Sequence, residues 1–182
     1  MKNKITCDLC PHHCKLSENQ VGFCGARKAI GGRIRSLNYG KLTSLAMDPI
    51  EKKPLSYYKP GSQILSVGSF GCNMHCPFCQ NYSIAKGKID DIYLRTLSPQ
   101  ELIDLAISKK NKGNIGIAFT YNEPLIAFEF ILDTAKIAEK EDLDIVIVTN
   151  GQIEETYLKK LLPYVSAWNI DLKCFTESGY KK

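Results

Sequence analysis

The chain has 182 residues, 44% of them hydrophobic, with 24 Lys and Arg against 19 Asp and Glu and a formal net charge of +5. This length fits one ordinary domain with a small addition, and the basic residues form scattered pairs rather than an aromatic-interleaved stripe, which argues against nucleic-acid binding. No apolar run approaches the roughly 20 residues of a membrane span, and residues 1–5 lead directly into cysteines, so we expect a cytoplasmic protein without a membrane partner.

Short, β-like alternation is typical of the first sixty residues. Residues 33–37 and 41–45 alternate about Asn38-Tyr39-Gly40, which predicts a β-hairpin. Residues 48–61 are rich in proline and charge, as in an ordered connector. We therefore expect residues 1–60 to form a small cysteine-rich, metal-binding β appendage and residues 61–182 to form the main domain.

Strand and helix patterns alternate from residue 61 onward. Apolar strands are expected at 63–68, 115–119, 144–148 and 167–170, and helices at 98–110, 125–140 and 154–162. Ser98-Pro99-Gln100-Glu101 begins the first of these helices as a capping box with proline at the first helical position. Nearly all-apolar strands separated by helices indicate an α/β fold with a parallel sheet covered on both faces.

Polar segments follow all four predicted strands. Because ligands of parallel α/β sheets lie beyond the carboxyl ends of the strands, we expect one pocket to collect these segments. They are residues 72–79, Tyr121-Asn122-Glu123, Thr149-Asn150 and Asp171-Leu172-Lys173.

Seven of the eight cysteines fall into two groups with the short spacings of metal ligands rather than of disulfides. The first group is Cys7, Cys10, Cys14 and Cys24, and the second is Cys72, Cys76 and Cys79. Two metal sites are therefore predicted. Cys174 stands apart; the sequence does not assign it a role, and a small buried hydrophobic residue is one interpretation.

The second cysteine group has the spacing C-x3-C-x2-C on one loop, which suits three irons of a [4Fe-4S] cluster. The fourth iron has no nearby protein ligand, and an open coordination position is typical of a catalytic rather than a structural centre. Electron-transfer ferredoxins use C-x2-C-x2-C with a fourth cysteine for each cluster, a pattern that this chain does not match. The alternative is a zinc site that borrows His75 or a distant cysteine.

With Phe78 in the aromatic place, this loop resembles the radical S-adenosylmethionine (SAM) superfamily, which is recognised by C-x3-C-x-aromatic-C. The resemblance implies a [4Fe-4S] cluster and SAM as cofactors, and reductive cleavage of SAM to a 5'-deoxyadenosyl radical that abstracts hydrogen from a substrate. It also implies a small-molecule or protein substrate and a one-electron donor such as flavodoxin or ferredoxin.

The same resemblance implies SAM contacts at the other strand ends. Tyr121-Asn122-Glu123 stands where the family has Gly-Gly-Glu, and Glu123 is the expected acceptor of the methionine amino group; the alternative is a carboxylate at a helix start. The segments at 149–151 and 171–173 resemble glycyl-radical activating enzymes, with Asp171 suited to the ribose and Lys173 to the SAM carboxylate. For Asn150 the alternative is a turn residue beside Gly151. The expected SAM-binding residues are Phe78, Tyr121, Asn122, Glu123, Thr149, Asn150, Asp171 and Lys173.

A closer resemblance, over residues 7–173, is to the AmmeMemoRadiSam-system radical SAM proteins, often labelled pyruvate formate-lyase activating enzyme homologues. It is carried by Cys10-Pro11-His12-His13-Cys14, Gly22-Phe23-Cys24-Gly25 and residues 48–55 and 71–81. Barrels of that family have six βα units, so we expect a partial (β/α) radical SAM barrel of four units and a truncated chain. The four N-terminal cysteines can close the shell of zinc or of a second iron–sulfur cluster.

The leading hypothesis is a radical SAM oxidoreductase or activase. The cysteine-rich appendage slightly favours modification of a small molecule over activation of a partner protein. Two alternatives stay open: an iron–sulfur or zinc binding and electron-carrier module without SAM chemistry, and an inactive truncated family member.

Overall fold

The computed structural model describes residues 4–87 and 89–180. Residues 1–3, Lys88, Lys181 and Lys182 lie outside the described residues, and with them the ends of the predicted segments 1–60 and 61–182. Within the described ranges no helix has the length and apolar character needed to cross a membrane.

Short strands dominate the first third of the chain, and strand–helix alternation dominates the rest. The strands are β1 (Ile5–Thr6), β2 (Lys15–Leu16), β3 (Arg27–Ile30), β4 (Arg33–Ser36), β5 (Lys41–Leu42), β6 (Ser44–Pro49), β7 (Gln63–Gly68), β8 (Arg95–Thr96), β9 (Asn114–Phe119), β10 (Asp144–Thr149) and β11 (Ala167–Ile170). The α-helices are α1 (Tyr82–Lys86), α2 (Pro99–Ile107), α3 (Phe128–Lys140), α4 (Glu155–Leu161) and α5 (Glu177–Tyr180).

A five-stranded sheet in the order β11-β10-β9-β7-β6 forms the centre of the fold. The four strands expected from the apolar runs, β7, β9, β10 and β11, pair in parallel, whereas β6 is antiparallel to β7. Ile145, Val146 and Ile147 of β10 are fully buried, because helices or the 50–58 segment cover both faces of the sheet. The structure is a mixed α/β fold.

Helices α2 and α3 pack on one face of this sheet. The predicted capping box is present, since the Ser98 hydroxyl accepts from the Glu101 N–H and the Glu101 carboxylate accepts from the Ser98 N–H. The helix predicted over 125–140 begins as a 3₁₀ turn, Pro124–Ala127, and becomes α-helical at Phe128. Phe130 of α3 is buried edge-to-face against Phe119 of β9, with ring centroids 6.3 Å apart.

The hairpin predicted about Asn38-Tyr39-Gly40 is wrong. Strand β4 pairs instead with β3 across Gly31-Gly32, and β5 pairs with β8. The two glycines have φ of 58° and 74°, the geometry of a two-residue hairpin turn that glycine favours. Asn38 is buried and donates from Nδ2 to the Phe70 carbonyl at 3.1 Å, so this segment contacts the loop after β7.

Strand β6 overlaps the segment 48–61, which was predicted to be a connector. Its six residues pair with β7, from Ser44 opposite Gly68 to Pro49 opposite Gln63. Proline, which lacks an N–H, is tolerated at the end of this edge strand. Within the first sixty residues, β6 is therefore hydrogen-bonded into the main sheet.

Candidate functional site

A cavity of about 610 Å³ opens where the parallel strands end. Segments after all four of these strands line it, as expected for ligand sites in parallel α/β sheets. The lining includes every residue expected to contact SAM and all three cysteines of the second group: Cys72, Cys76, Phe78, Cys79, Tyr121, Asn122, Glu123, Thr149, Asn150, Asp171 and Lys173.

The three cysteines of the loop after β7 are half-buried and form no disulfide. The Sγ of Cys72 accepts a hydrogen bond from the Met74 N–H at 3.3 Å, the kind of contact that tunes iron–sulfur clusters. Burial raises the pKa of Cys72 to about 11, so a metal that binds this thiol displaces its proton. Within residues 4–87 and 89–180, no three or more His, Cys, Asp or Glu side chains are grouped to hold a metal ion.

Asn122 fixes the start of this cysteine loop. Its Oδ1 accepts from the Ser69 N–H at 3.0 Å, and its Nδ2 donates to the Gly71 carbonyl at 3.0 Å. Asn122 thus links the end of β9 to the end of β7, beside the first cysteine.

Glu123 lies at the centre of the strand-end contacts and is only 3% exposed. Its carboxylate accepts from the Thr149 hydroxyl at 2.6 Å, from the Asn150 N–H at 2.8 Å and from the Leu125 N–H at 3.0 Å. Burial raises the pKa of Glu123, although these hydrogen bonds act in the opposite direction. The contact with Leu125 places the Glu123 carboxylate at a helix start, the alternative that the sequence analysis gave for Glu123.

The Asn150 side chain makes a turn contact, which was the alternative to SAM contact in the sequence analysis. Its Oδ1 accepts from the Gln152 N–H at 2.9 Å, beside Gly151 with a φ of 74°. Its Nδ2 donates to Oδ1 of Asn73 in the cysteine loop at 2.8 Å. The end of β10 is therefore tied both to Glu123 and to the cysteine loop.

Asp171 and Lys173 pair with each other at the end of β11, with Nζ and Oδ2 2.7 Å apart. Burial alone would lower the pKa of Lys173, but the Asp171 carboxylate raises it overall. Both side chains stay partly exposed within the cavity, and Phe78 is 63% exposed at its edge.

Three cavity residues, Asp48, Lys52 and Lys53, were not predicted from the sequence. The Asp48 carboxylate is 2.9 Å from the ammonium of Lys53, itself 3% exposed, and 3.0 Å from that of Lys52. It also accepts from the Tyr121 hydroxyl at 2.8 Å. The charge-rich run at 48–53 was visible in the sequence, but nothing there connects it to a residue 73 positions away.

The contact with Asp48 accounts for a tyrosine at an unusual backbone position. Tyr121 has a φ of 73°, and the Asn122 N–H donates to the Thr120 carbonyl at 3.0 Å, which together describe a positive-φ γ-turn. Glycine adopts this conformation at the lowest cost. The hydroxyl bond to Asp48 and the Lys53 ammonium 5.1 Å from the ring centroid offset the strain.

We expect the Asp48 cluster to make the protein acid-sensitive. Burial raises the pKa of Asp48, but hydrogen bonds from Lys53, Lys52 and Tyr121 lower it well below its ordinary 3.8. A lowered folded-state pKa contributes stability above pH 3.8, which is lost as the pH falls through and below that value. Urea unfolding between pH 6 and pH 3 should therefore show a steeper loss in wild type than in Asp48→Asn.

The fluorescence of Trp168, the one tryptophan of the chain, reports this unfolding. Asp91→Asn, at an exposed aspartate, serves as the control and should keep the wild-type slope. Equal slopes in wild type and Asp48→Asn would contradict the assignment.

Contacts connect Cys7 of the N-terminal group with Cys14, Cys10 and Cys24. Cys7 and Cys24 are buried, and the Cys7 N–H donates to the Cys14 carbonyl at 2.9 Å. Burial raises the pKa of Cys10 and of Cys24, and the nearby Cys7 thiol raises both further. Cys174 lies outside both groups, in the segment after β11, and is half-buried rather than buried.

A sequence profile described as the Radical SAM superfamily matches residues 66–182, the part that contains the end of β7, the cysteine loop and the other three parallel strands. The solved structure of QueE from Escherichia coli is similar in fold, with a TM-score of 0.52 and 15% sequence identity over 77% of this chain and 62% of that one.

Curated relatives match over most of this chain. An uncharacterized protein of Methanocaldococcus jannaschii is 43% identical over 94% of the chain and 50% of its own length. A putative glycyl-radical enzyme activating enzyme of the same organism and the pyruvate formate-lyase-activating enzyme of Clostridium pasteurianum are each 26% identical, over 73% and 61% of the chain and 52% and 46% of their own lengths. The chain thus spans about half the length of these relatives.

Proposed function

Because the chain belongs to the radical SAM superfamily, we propose that Cys72, Cys76 and Cys79 bind a [4Fe-4S] cluster at which SAM is reductively cleaved for hydrogen abstraction. The observation that carries this proposal is that all three cysteines share one cavity with polar residues from the ends of three other parallel strands. A protein that only stored or carried electrons would not need these polar residues.

The donor set fits such a cluster. Three thiols on one loop would each supply a ligand to one iron, and the cavity beside them would leave room for SAM at the remaining iron. When bound, the cluster supplies the electron for SAM cleavage. The Met74 N–H donates to the Cys72 sulfur, and the Lys86 ammonium lies close enough to lower the pKa of the Cys72 thiol. Both contacts stabilise negative charge on the ligand.

The polar residues of the cavity would orient SAM. Lys173 offers an ammonium to a carboxylate, and Asp171 can accept two hydrogen bonds from a ribose diol once their mutual pair opens. Glu123 supplies negative charge near an amino group, while Thr149 and Asn150 hold that carboxylate in place. Tyr121, Asn122 and Phe78 complete the proposed SAM surface and reduce access of water.

We further propose a partial (β/α) barrel of four units over 61–182 and a metal-binding appendage over 1–60, with zinc or a second iron–sulfur cluster at Cys7, Cys10, Cys14 and Cys24. The substrate is a small molecule or a protein. The names of the two activating-enzyme relatives support an activase, whereas the cysteine-rich appendage favours a small molecule. A one-electron donor such as flavodoxin or ferredoxin would reduce the cluster.

Electron paramagnetic resonance of the anaerobically reconstituted, reduced chain tests this function. We expect a [4Fe-4S] signal that shifts on addition of SAM and is lost in Cys76→Ala, because two thiolates cannot hold three irons. Cys174→Ala, outside both cysteine groups, should keep the shifted signal. A wild-type signal that ignores SAM, or no signal, would contradict the proposal.

One observation favours a second candidate, an electron carrier. The Cys72 N–H donates to the Cys24 carbonyl at 3.1 Å, so Cys24 is near enough to the loop to be considered as a fourth thiolate. A cluster closed by four thiolates would not bind SAM. An unshifted signal that changes in Cys24→Ala would identify this carrier.

A further inference from the structure

The two cysteine groups meet at one junction. Cys72, the first cysteine of the loop after β7, donates its N–H to the carbonyl of Cys24, the last cysteine of the N-terminal group, at 3.1 Å. The approach is close, because a Cβ added at Gly71 would lie 2.6 Å from the Cys24 oxygen and 2.9 Å from the Ala26 Cβ. Gly71 also has a φ of 89°, which disfavours any side chain there.

Lys86 of α1 connects the same two groups. Its ammonium donates to the Cys72 carbonyl at 2.7 Å and to the Phe23 carbonyl at 3.3 Å, and it lies 4.1 Å from the centre of the Phe23 ring. This cation therefore faces both cysteine groups.

His12 makes a third connection. It lies between Cys10 and Cys14 in the sequence, and its Nε2 is 2.7 Å from the carbonyl of Asn73 in the cysteine loop. The His12 ring also contacts that of Phe23, with centroids 4.4 Å apart. Asn73 is 1% exposed, so this contact reaches the interior of the loop.

The cysteine-bearing segment has little regular structure of its own. Strands β1 and β2 contain two residues each, and a ribbon this short is not stable in isolation. Small segments of this kind are usually stabilised by a metal or a disulfide, and these cysteines form no disulfide. A metal bound by four thiolates would fix Cys24 and Phe23, and through their carbonyls the start of the cysteine loop and Lys86.

We propose that the N-terminal cysteines form a second metal centre whose loading fixes the cysteine loop in the conformation that binds the [4Fe-4S] cluster. This coupling rests on the proposed function of Cys72, Cys76 and Cys79. The metal is zinc or an iron–sulfur cluster, since four thiolates accept either. Ligand sites assemble as metal binds, so the first site to load lowers the ordering cost of the second.

The test compares zinc and iron per chain, and the [4Fe-4S] signal during stepwise anaerobic titration with iron and sulfide. Cys14→Ser is expected to lose the second metal and to weaken cluster binding about 10–100-fold, the usual effect of removing an outer-shell support. Cys174→Ser should match wild type in both readouts. Circular dichroism checks that each variant keeps its secondary structure.

Gly71→Ala tests the junction with all seven grouped thiols intact. It should retain the second metal and yet bind the cluster more weakly, because the added methyl group forces the loop away from Cys24. If Cys14→Ser does not fold, Gly71→Ala alone tests the coupling between the two sites. Full cluster affinity in Gly71→Ala or in Cys14→Ser, or a wild-type chain without a second metal, would overturn the coupling.

The proposed function can fail separately. In that case Cys76→Ser and wild type would both hold the N-terminal metal, and wild type would give no SAM-dependent signal. If the proposed function holds and only the coupling fails, wild type and Cys14→Ser would give the same SAM-dependent signal at the same iron concentration.

Discussion

Glu123→Ala is expected to lower the free energy of unfolding by about 3–5 kcal/mol, because it leaves buried donors on Leu125, Thr149 and Asn150 without their acceptor. Each buried donor left without a partner costs about 1–3 kcal/mol, and partial rearrangement of Thr149 reduces the sum. Urea unfolding of the metal-free chain, followed by Trp168 fluorescence, measures the change.

Glu139→Ala provides the matched control for this substitution. Glu139 is exposed on α3, so its removal should change stability by no more than about 0.5 kcal/mol. If Glu123→Ala and Glu139→Ala were equally stable, Glu123 would not organise the strand ends, and its proposed role beside SAM would lose its support.

Glu129→Gln is expected to lower the free energy of unfolding by about 2–3 kcal/mol, less than the 3–5 kcal/mol typical of a broken, fully buried ion pair. The Arg27 guanidinium, 5% exposed, donates to both oxygens of Glu129 at 2.8 and 2.6 Å, and Glu129 is 39% exposed. Removing the carboxylate leaves a buried cation, whereas water can partly replace the lost partner.

A double-mutant cycle isolates this interaction. Arg27→Met with Glu129→Leu removes both charges and should be more stable than Glu129→Leu alone, because no buried cation is left unpaired. Additive effects of the two single substitutions would show that the pair does not join β3 to α3. Trp168 fluorescence again serves as the readout.

The parallel strands were predictable because each one is a short, largely apolar segment, and β7, β9 and β10 are buried along most of their length. Residues 63–68 and 167–170 match β7 and β11 residue for residue, and Ser98 forms its expected cap. The cysteine loop was predictable for a different reason, since its ligands are close in sequence. In both cases the signal is local.

What the sequence could not reveal depends on distant pairing. Strand β6 is half-buried along most of its length and ends in proline, so it lacks both clear alternation and an apolar run. Its antiparallel position beside β7 brings Asp48 to the cavity and to Tyr121. The true position of the hairpin could have been predicted from the sequence, because Gly31-Gly32 favours a two-residue turn more strongly than Asn38-Tyr39-Gly40 does.

Two of the contacts between the first sixty residues and the rest of the chain differ greatly in the length of chain that they close. The β6–β7 pairs join residues 14 to 24 positions apart, whereas the Arg27–Glu129 pair spans 102. The entropy of loop closure rises with separation, so local pairs form first. We therefore expect β6 to pair early in folding and the cysteine-bearing segment to dock last, once α3 has formed.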